Sequence, residues 1–118
     1  IDNTIDKDVF INADYEKLKK VFESLIKNSI EAVDINKKYR YIKFIYKKSG
    51  EKNIIRIEDN GIGIPTKILS IIFEPLVSSK IQGTGLGLPL SKSIIERHNG
   101  KIDIISEENE GTTVGIQI

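Results

Sequence analysis

The stretch NIIRIEDNGIGIP, residues 53–65, decides how the chain folds. Ile55, Ile57 and Asp59 share parity, so a strand over Asn53–Asp59 turns all three to one side of a sheet. A carboxylate on a face otherwise carrying isoleucine needs a hydrogen-bond donor, because burying an unpaired charge is very costly. Asn60-Gly61-Ile62-Gly63-Ile64-Pro65 then breaks the strand abruptly. The two glycines let the chain turn sharply and let another group approach the backbone closely. A turn with an Asx cap uses the same residue types; the parity of Asp59 weighs against that plainer account.

Before this stretch, Tyr41 to Lys48 alternates, with Ile42, Phe44 and Tyr46 on one face and Lys43 and Lys47 on the other. Ser49-Gly50-Glu51-Lys52 joins the two strands as a hairpin. Further upstream, Leu18, Val21, Phe22, Leu25, Ser29, Ala32 and Val33 recur at helical spacing. Asp14 is a good N-cap for that helix, which should end before Asn36. Residues 8–12 (DVFIN) read as a short strand. After residue 65, a short helix is expected over 66–72 with Thr66 as its cap. Residues 74–85 look irregular. A helix runs from about Leu86 to His98 with Pro89 in its first turn and Asn99-Gly100 as its stop. Residues 101–106 and 112–118 form a closing strand pair with Val114, Ile116 and Ile118 on one face. This order implies an α/β sandwich, one mixed sheet with helices packed on a single face.

The 118 residues make one domain, which buries roughly 65% of its unfolded surface. With 39% hydrophobic and 30% charged residues, the composition is that of a folded domain and not of a disordered segment. No apolar run approaches the ~20 residues needed to cross a bilayer, and no export leader is visible. The chain starts at Ile1, so it is expected to be a fragment of a longer protein. Cysteine is absent, which excludes disulfides, thiolate catalysis and cysteine metal sites. One histidine excludes a multi-histidine metal site. Basic and acidic residues balance at 18 against 17, so no field-driven nucleic-acid binding is expected. The lysines at 37–48 read as a solvated face without an aromatic platform.

Three clusters carry candidate chemistry. Asn28 shares a helical row with Ser24 and Ala32 at the edge of the apolar stripe; by itself it reads as a helix-edge amide bonded to its own backbone. The second cluster is Glu58 to Gly63. The third runs from Lys80 to Leu88, where Gly83, Gly85 and Gly87 alternate and then open a helix. Free N–H groups at a helix N-terminus favour phosphate, and Lys80 adds a full charge. The spacing is neither that of a P-loop nor of a Rossmann turn.

Together the three are far more specific than any one of them. Asn28, Asp-x-Gly-x-Gly some thirty residues later and Gly-x-Gly-x-Gly opening a helix resemble the ATP-binding domain of the GHKL superfamily. The likeness is strongest to the catalytic domain of bacterial sensor histidine kinases. LIKNSIEAV resembles the asparagine box, EDNGIGI the first glycine box, IFEPLVSSK the phenylalanine box, and GTGLGLPLSKSIIERHNGKI the second glycine box with its helix. The implied fold is the Bergerat fold, an α/β (α+β) sandwich with a mixed, mostly antiparallel sheet of about five strands and three helices on one face.

The resemblance implies ATP/ADP and Mg²⁺ as ligands. It implies that Asn28 ligates Mg²⁺, that Asp59 accepts a hydrogen bond from the adenine amino group and that Gly63 leaves room for the purine. Thr112 would support Asp59 through a water. Residues 74–85 would be a lid with Phe73 anchoring its start, and Lys80 would approach the terminal phosphates. Gly83, Gly85 and Gly87 would place N–H groups on the phosphates. Glu31, Ala32, Ile64, Thr84, Leu86 and Leu88 complete the expected nucleotide site. No catalytic side chain other than Lys80 is expected within the chain.

One departure bears on the reaction. ATP-hydrolysing members of the superfamily carry a glutamate four residues before the asparagine, and here that position is Ser24, a poor base. Glu23 lies about 100° round the helix. The chain therefore reads as built to donate its phosphate to a nucleophile held elsewhere, and the resemblance implies that this is a histidine on a separate dimerisation domain, with onward transfer to the receiver domain of a response regulator. His98, at a helix C-terminus where the dipole favours it, is expected to be structural. Two other classes stay in view: an ATP-driven conformational switch, and a nucleotide-binding module without catalysis. The implied location is the cytoplasm, with no direct membrane or nucleic-acid contact, any membrane anchor of the parent lying outside this chain.

Overall fold

The computed structural model describes residues 2–3, 9–74 and 87–118, with side chains from Val9 onward. The elements are β1 (Asp2–Asn3), α1 (Tyr15–Glu31), β2 (Ile42–Ser49), β3 (Lys52–Asp59), α2 (Thr66–Leu69), α3 (Gly87–Arg97), β4 (Lys101–Glu107) and β5 (Gly111–Gln117). One five-stranded sheet has the order β1-β2-β3-β5-β4. β1 runs parallel to β2; the other three pairings are antiparallel. The expected mixed, mostly antiparallel sheet with helices on one face is what forms.

Parity decides which face is covered. Ile42 of β2, Ile55 and Ile57 of β3, and Val114 and Ile116 of β5 are buried, and Ile118 just beyond β5 joins them. Val21 and Leu25 of α1 and Ile94 and Ile95 of α3 complete this core. Each fully buried Leu or Ile contributes roughly 1.5–3 kcal/mol, so the two helices are fixed mainly by these contacts. The opposite sheet face, with Arg56, Asp103 and Ile105, is exposed.

Asp14 caps α1, its carboxylate accepting from the Lys17 N–H at 3.2 Å. Helix α3 stops where Asn99 adopts φ 58° and the Gly100 N–H donates to the Ile95 carbonyl at 2.9 Å. The sheet is also closed at the C-terminus, where Asn53 and Ile118 exchange backbone hydrogen bonds of 2.7 and 2.9 Å.

Two expectations are corrected. Val9–Asn12 form no strand. The place beside β2 is taken by Asp2–Asn3, while Ile11 and Ala13 pack against the core from irregular chain. Thr66 is the first helical residue and not the cap; Pro65 holds the cap position without a side-chain bond. The helix also ends at Leu69. Beyond it the Ile71, Ile72 and Glu74 N–H groups donate three residues back, to Ile68, Leu69 and Ile71, a tighter winding than the α-helix.

Candidate functional site

Asp59 ends β3 on the covered face and is 8% exposed. Its Oδ1 accepts the Gly61 N–H at 3.0 Å, which supplies the expected donor. The other carboxylate oxygen has no partner among the described residues, and no buried polar side-chain atom there is left unpaired, so this oxygen opens to the surface. The end of the strand thus presents a carboxylate with one oxygen held and the other open, on the face where Ile55 and Ile57 are buried.

The loop after Asp59 is wedged between two parts of the fold. On one side Ile62 N–H donates to the carbonyl of Ala32, the residue capping α1, at 2.8 Å. A Cβ on Gly61 would collide with that same carbonyl. On the other side the Asn109 N–H donates to the Ile62 carbonyl at 2.7 Å. Gly63 takes φ +72°, and a Cβ there would strike the Glu107 carbonyl. In the direction a side chain would take, Gly63 is packed against the backbone of Glu107 and Glu108. Ile64 is fixed by its N–H, which donates to Ser106 Oγ at 2.8 Å.

Ser106 is a junction that sequence reasoning missed. Besides Ile64 it bonds the Gly111 carbonyl at 3.0 Å and Thr112 Oγ1 at 2.8 Å. Thr112 stands opposite Asp59 in the β3–β5 register, and its hydroxyl is tied to Ser106. Lys37 was also missed. Its ammonium donates to the carbonyls of Asn60 at 2.7 Å, Glu110 at 3.1 Å and Gly61 at 3.4 Å. The Asn60 side chain in turn accepts from Tyr41 N–H and donates to the Tyr39 carbonyl, both at 2.9 Å. A serine in an alternating strand and one lysine among several carry no pattern that marks such partners.

Ser24 and Asn28 lie a turn apart on α1, both half-buried. A Cβ on Gly87, the first residue of α3, would come within 2.6 Å of Ser24 Oγ. The row that carries Asn28 therefore passes directly beside the start of α3, where unpaired N–H groups gather. Glu23 points away, 64% exposed, 3.9 Å from Lys19. Glu31 pairs with Lys27 at 3.8 Å in the last turn of α1, and Leu88 packs against the core. The Phe73 ring lies 5.1 Å from the Lys92 ammonium of α3, which ties residue 73 to that helix. Lys80, Gly83, Thr84, Gly85, Leu86 and all but the first residue of the expected lid lie outside the described residues.

Among the described residues no cluster of three or more His, Cys, Asp or Glu is able to cage a metal. His98 is engaged at both ring nitrogens. Nδ1 bonds the Ile94 carbonyl at 2.8 Å, and Nε2 accepts the Asp14 N–H at 3.0 Å. It acts as a brace between α3 and α1.

Comparison with known proteins identifies the family and agrees with the fold. The family described as histidine kinase-, DNA gyrase B- and HSP90-like ATPase matches residues 13–118. Sporulation kinase B of Bacillus subtilis (strain 168) is 42% identical over 111 residues, 94% of this chain and 26% of that protein. The signal transduction histidine-protein kinase AtoS of Escherichia coli (strain K12) is 41% identical over 103 residues, 87% of this chain and 17% of that protein. The chain thus spans about a quarter or less of these relatives. Among solved structures, the nucleotide-free catalytic domain of histidine kinase ThkA superposes with TM-score 0.81 at 33% identity, covering 98% of this chain and 74% of that one. A mycobacterial sensor histidine kinase, MprB, shares the fold at TM-score 0.78 and 21% identity, with 90% of this chain and 72% of that one covered. On motif, fold and likeness together, the chain belongs to the histidine kinase-, DNA gyrase B- and HSP90-like ATPase family, on its sensor histidine kinase branch.

Proposed function

We propose that the chain binds Mg-ATP beside Asp59 and the start of α3, and presents the γ-phosphate to a histidine on a separate dimerisation domain. The observation that carries this is the Asp59 carboxylate, with one oxygen held by Gly61 N–H and the other open at the end of a buried strand face. Such an acceptor suits the exocyclic amino group of adenine. In this arrangement Asn28 would hold Mg²⁺, which supplies neutralisation of phosphate charge when bound. Gly87 and Leu88, with Gly83, Thr84, Gly85, Leu86 and Lys80 before them, would direct N–H groups and one cation at the phosphates. Glu31, Ala32, Ile64 and Thr112 would complete the surround of the nucleotide.

Phosphoryl transfer asks the protein for position and charge stabilisation more than for covalent chemistry. Ser24 beside Gly87 offers no base to activate water, and Glu23 is turned to solvent. Both favour donation to an external nucleophile over hydrolysis. The imidazole acceptor, and the receiver domain that takes the phosphate onward, belong to other domains. The proposed setting is the cytoplasm, where ATP is held. No described helix is long and apolar enough to cross a membrane.

The test is calorimetric titration with ATP and ADP, with and without Mg²⁺, alongside a hydrolysis assay and transfer to a separately supplied dimerisation domain. Magnesium-dependent binding, slow turnover and labelling of the acceptor histidine are expected. Fast turnover by the chain alone would place it with the hydrolysing members, and binding without labelling would reduce it to a nucleotide-binding module.

A further inference from the structure

The Asn60–Gly61 peptide group is gripped at both ends. Its N–H, from Gly61, donates to Asp59 Oδ1 at 3.0 Å. Its C=O, from Asn60, accepts from the Lys37 ammonium at 2.7 Å. One planar amide therefore links the ammonium to the carboxylate, and the plane allows neither end to turn without the other. A cation on the carbonyl polarises the amide and strengthens its N–H as a donor. All three ammonium donors have an acceptor within reach, on Asn60, Gly61 and Glu110, so the same cation joins the loop to the β4–β5 turn.

The segment carrying Lys37 is itself tied down. Asp34 accepts the Asn36 N–H on its side chain at 2.9 Å and the Lys37 N–H on its carbonyl at 3.1 Å. Arg40 donates to the Lys37 carbonyl at 2.9 Å and the Ile35 carbonyl at 2.8 Å. We propose that Lys37 is a positioning residue for base recognition, acting on Asp59 through the Asn60–Gly61 peptide group. The proposal rests on the assignment of Asp59 as the adenine acceptor.

The experiment compares the affinity of this chain for ADP and for purine riboside 5′-diphosphate, the same nucleotide without its 6-amino group. Wild type, Lys37→Met, Lys37→Arg, Asp59→Asn and the Lys37→Met/Asp59→Asn double variant are measured by calorimetry. Lys37→Met should weaken ADP by about tenfold, the scale of coupling within one hydrogen-bond network. It should leave the amino-free nucleotide within about twofold. Lys37→Arg should restore most of the preference, and Lys37→Met should add little on Asp59→Asn. Equal weakening of both nucleotides, or a full additional loss on top of Asp59→Asn, would mean general loosening and overturn the proposal. If Lys37→Met fails to fold, Lys37→Gln is held to the same outcomes. If Asp59→Asn keeps the wild-type preference for ADP, the adenine assignment itself falls. If Asp59→Asn loses that preference while Lys37→Met keeps it, only the role of Lys37 falls.

Discussion

Asp59 shows how far one residue is readable in advance. Its parity with Ile55 and Ile57 places it on the covered face, and its donor is two residues away at Gly61. Replacing it by Asn should weaken ADP binding by about 1.5–3 kcal/mol, the worth of a hydrogen bond to a charged group; calorimetry measures it. Ser106 is the opposite case. It bonds a backbone N–H, a carbonyl and a hydroxyl from segments 5 to 42 residues away. Such contacts depend on tertiary placement and leave no trace in local spacing. Ser106→Ala would strand the Ile64 N–H and should lower stability by about 1–3 kcal/mol, read from urea unfolding. Asn28→Ala should abolish the tightening of ATP binding by Mg²⁺; equal tightening in the variant would remove Asn28 from the metal site.

The elements were legible wherever periodicity was strong. Both hairpins, α1 and α3 fall within a few residues of expectation, because buried Ile, Val and Leu recur at period two or near 3.6. The failures are short elements. A two-residue strand cannot announce itself by alternation, and the apolar run at Val9–Ile11 proves to be irregular packing instead. The glycines of the loop Asn60–Ile64 were expected to admit a close approach to the backbone, and the carbonyls of Ala32 and Glu107 make it. Gly63→Ala therefore tests the loop as a unit. Strain at φ +72° and collision with the Glu107 carbonyl should cost more than about 1 kcal/mol of stability, and should lower nucleotide affinity as the loop shifts. A melting curve and an ADP titration on the same variant separate the two effects.

At the scale of the whole molecule, the motif set and the element order together specified the fold. The route of the α1–β2 connection, which brings Lys37 behind the Asp59 loop, was not foreseen. A ligand that binds only the folded chain adds RT ln(1 + [L]/Kd) to its stability. ADP with Mg²⁺ at a hundred times Kd should therefore raise unfolding free energy by about 2.7 kcal/mol, and Asp59→Asn at the same ligand concentration should show clearly less.

The histidine brace has a consequence for how the domain opens. His98 at the tail of α3 receives the N–H of Asp14 at the head of α1, while Gly87 at the other tip of α3 lies against Ser24 midway along α1. Two staples some eleven residues apart leave α3 no pivot of its own. Amide protons of the two helices should exchange with deuterium as one cooperative block, with a common opening free energy. His98→Ala should split that block, letting the last turn of α3 exchange early while the turn beside Ser24 keeps its protection.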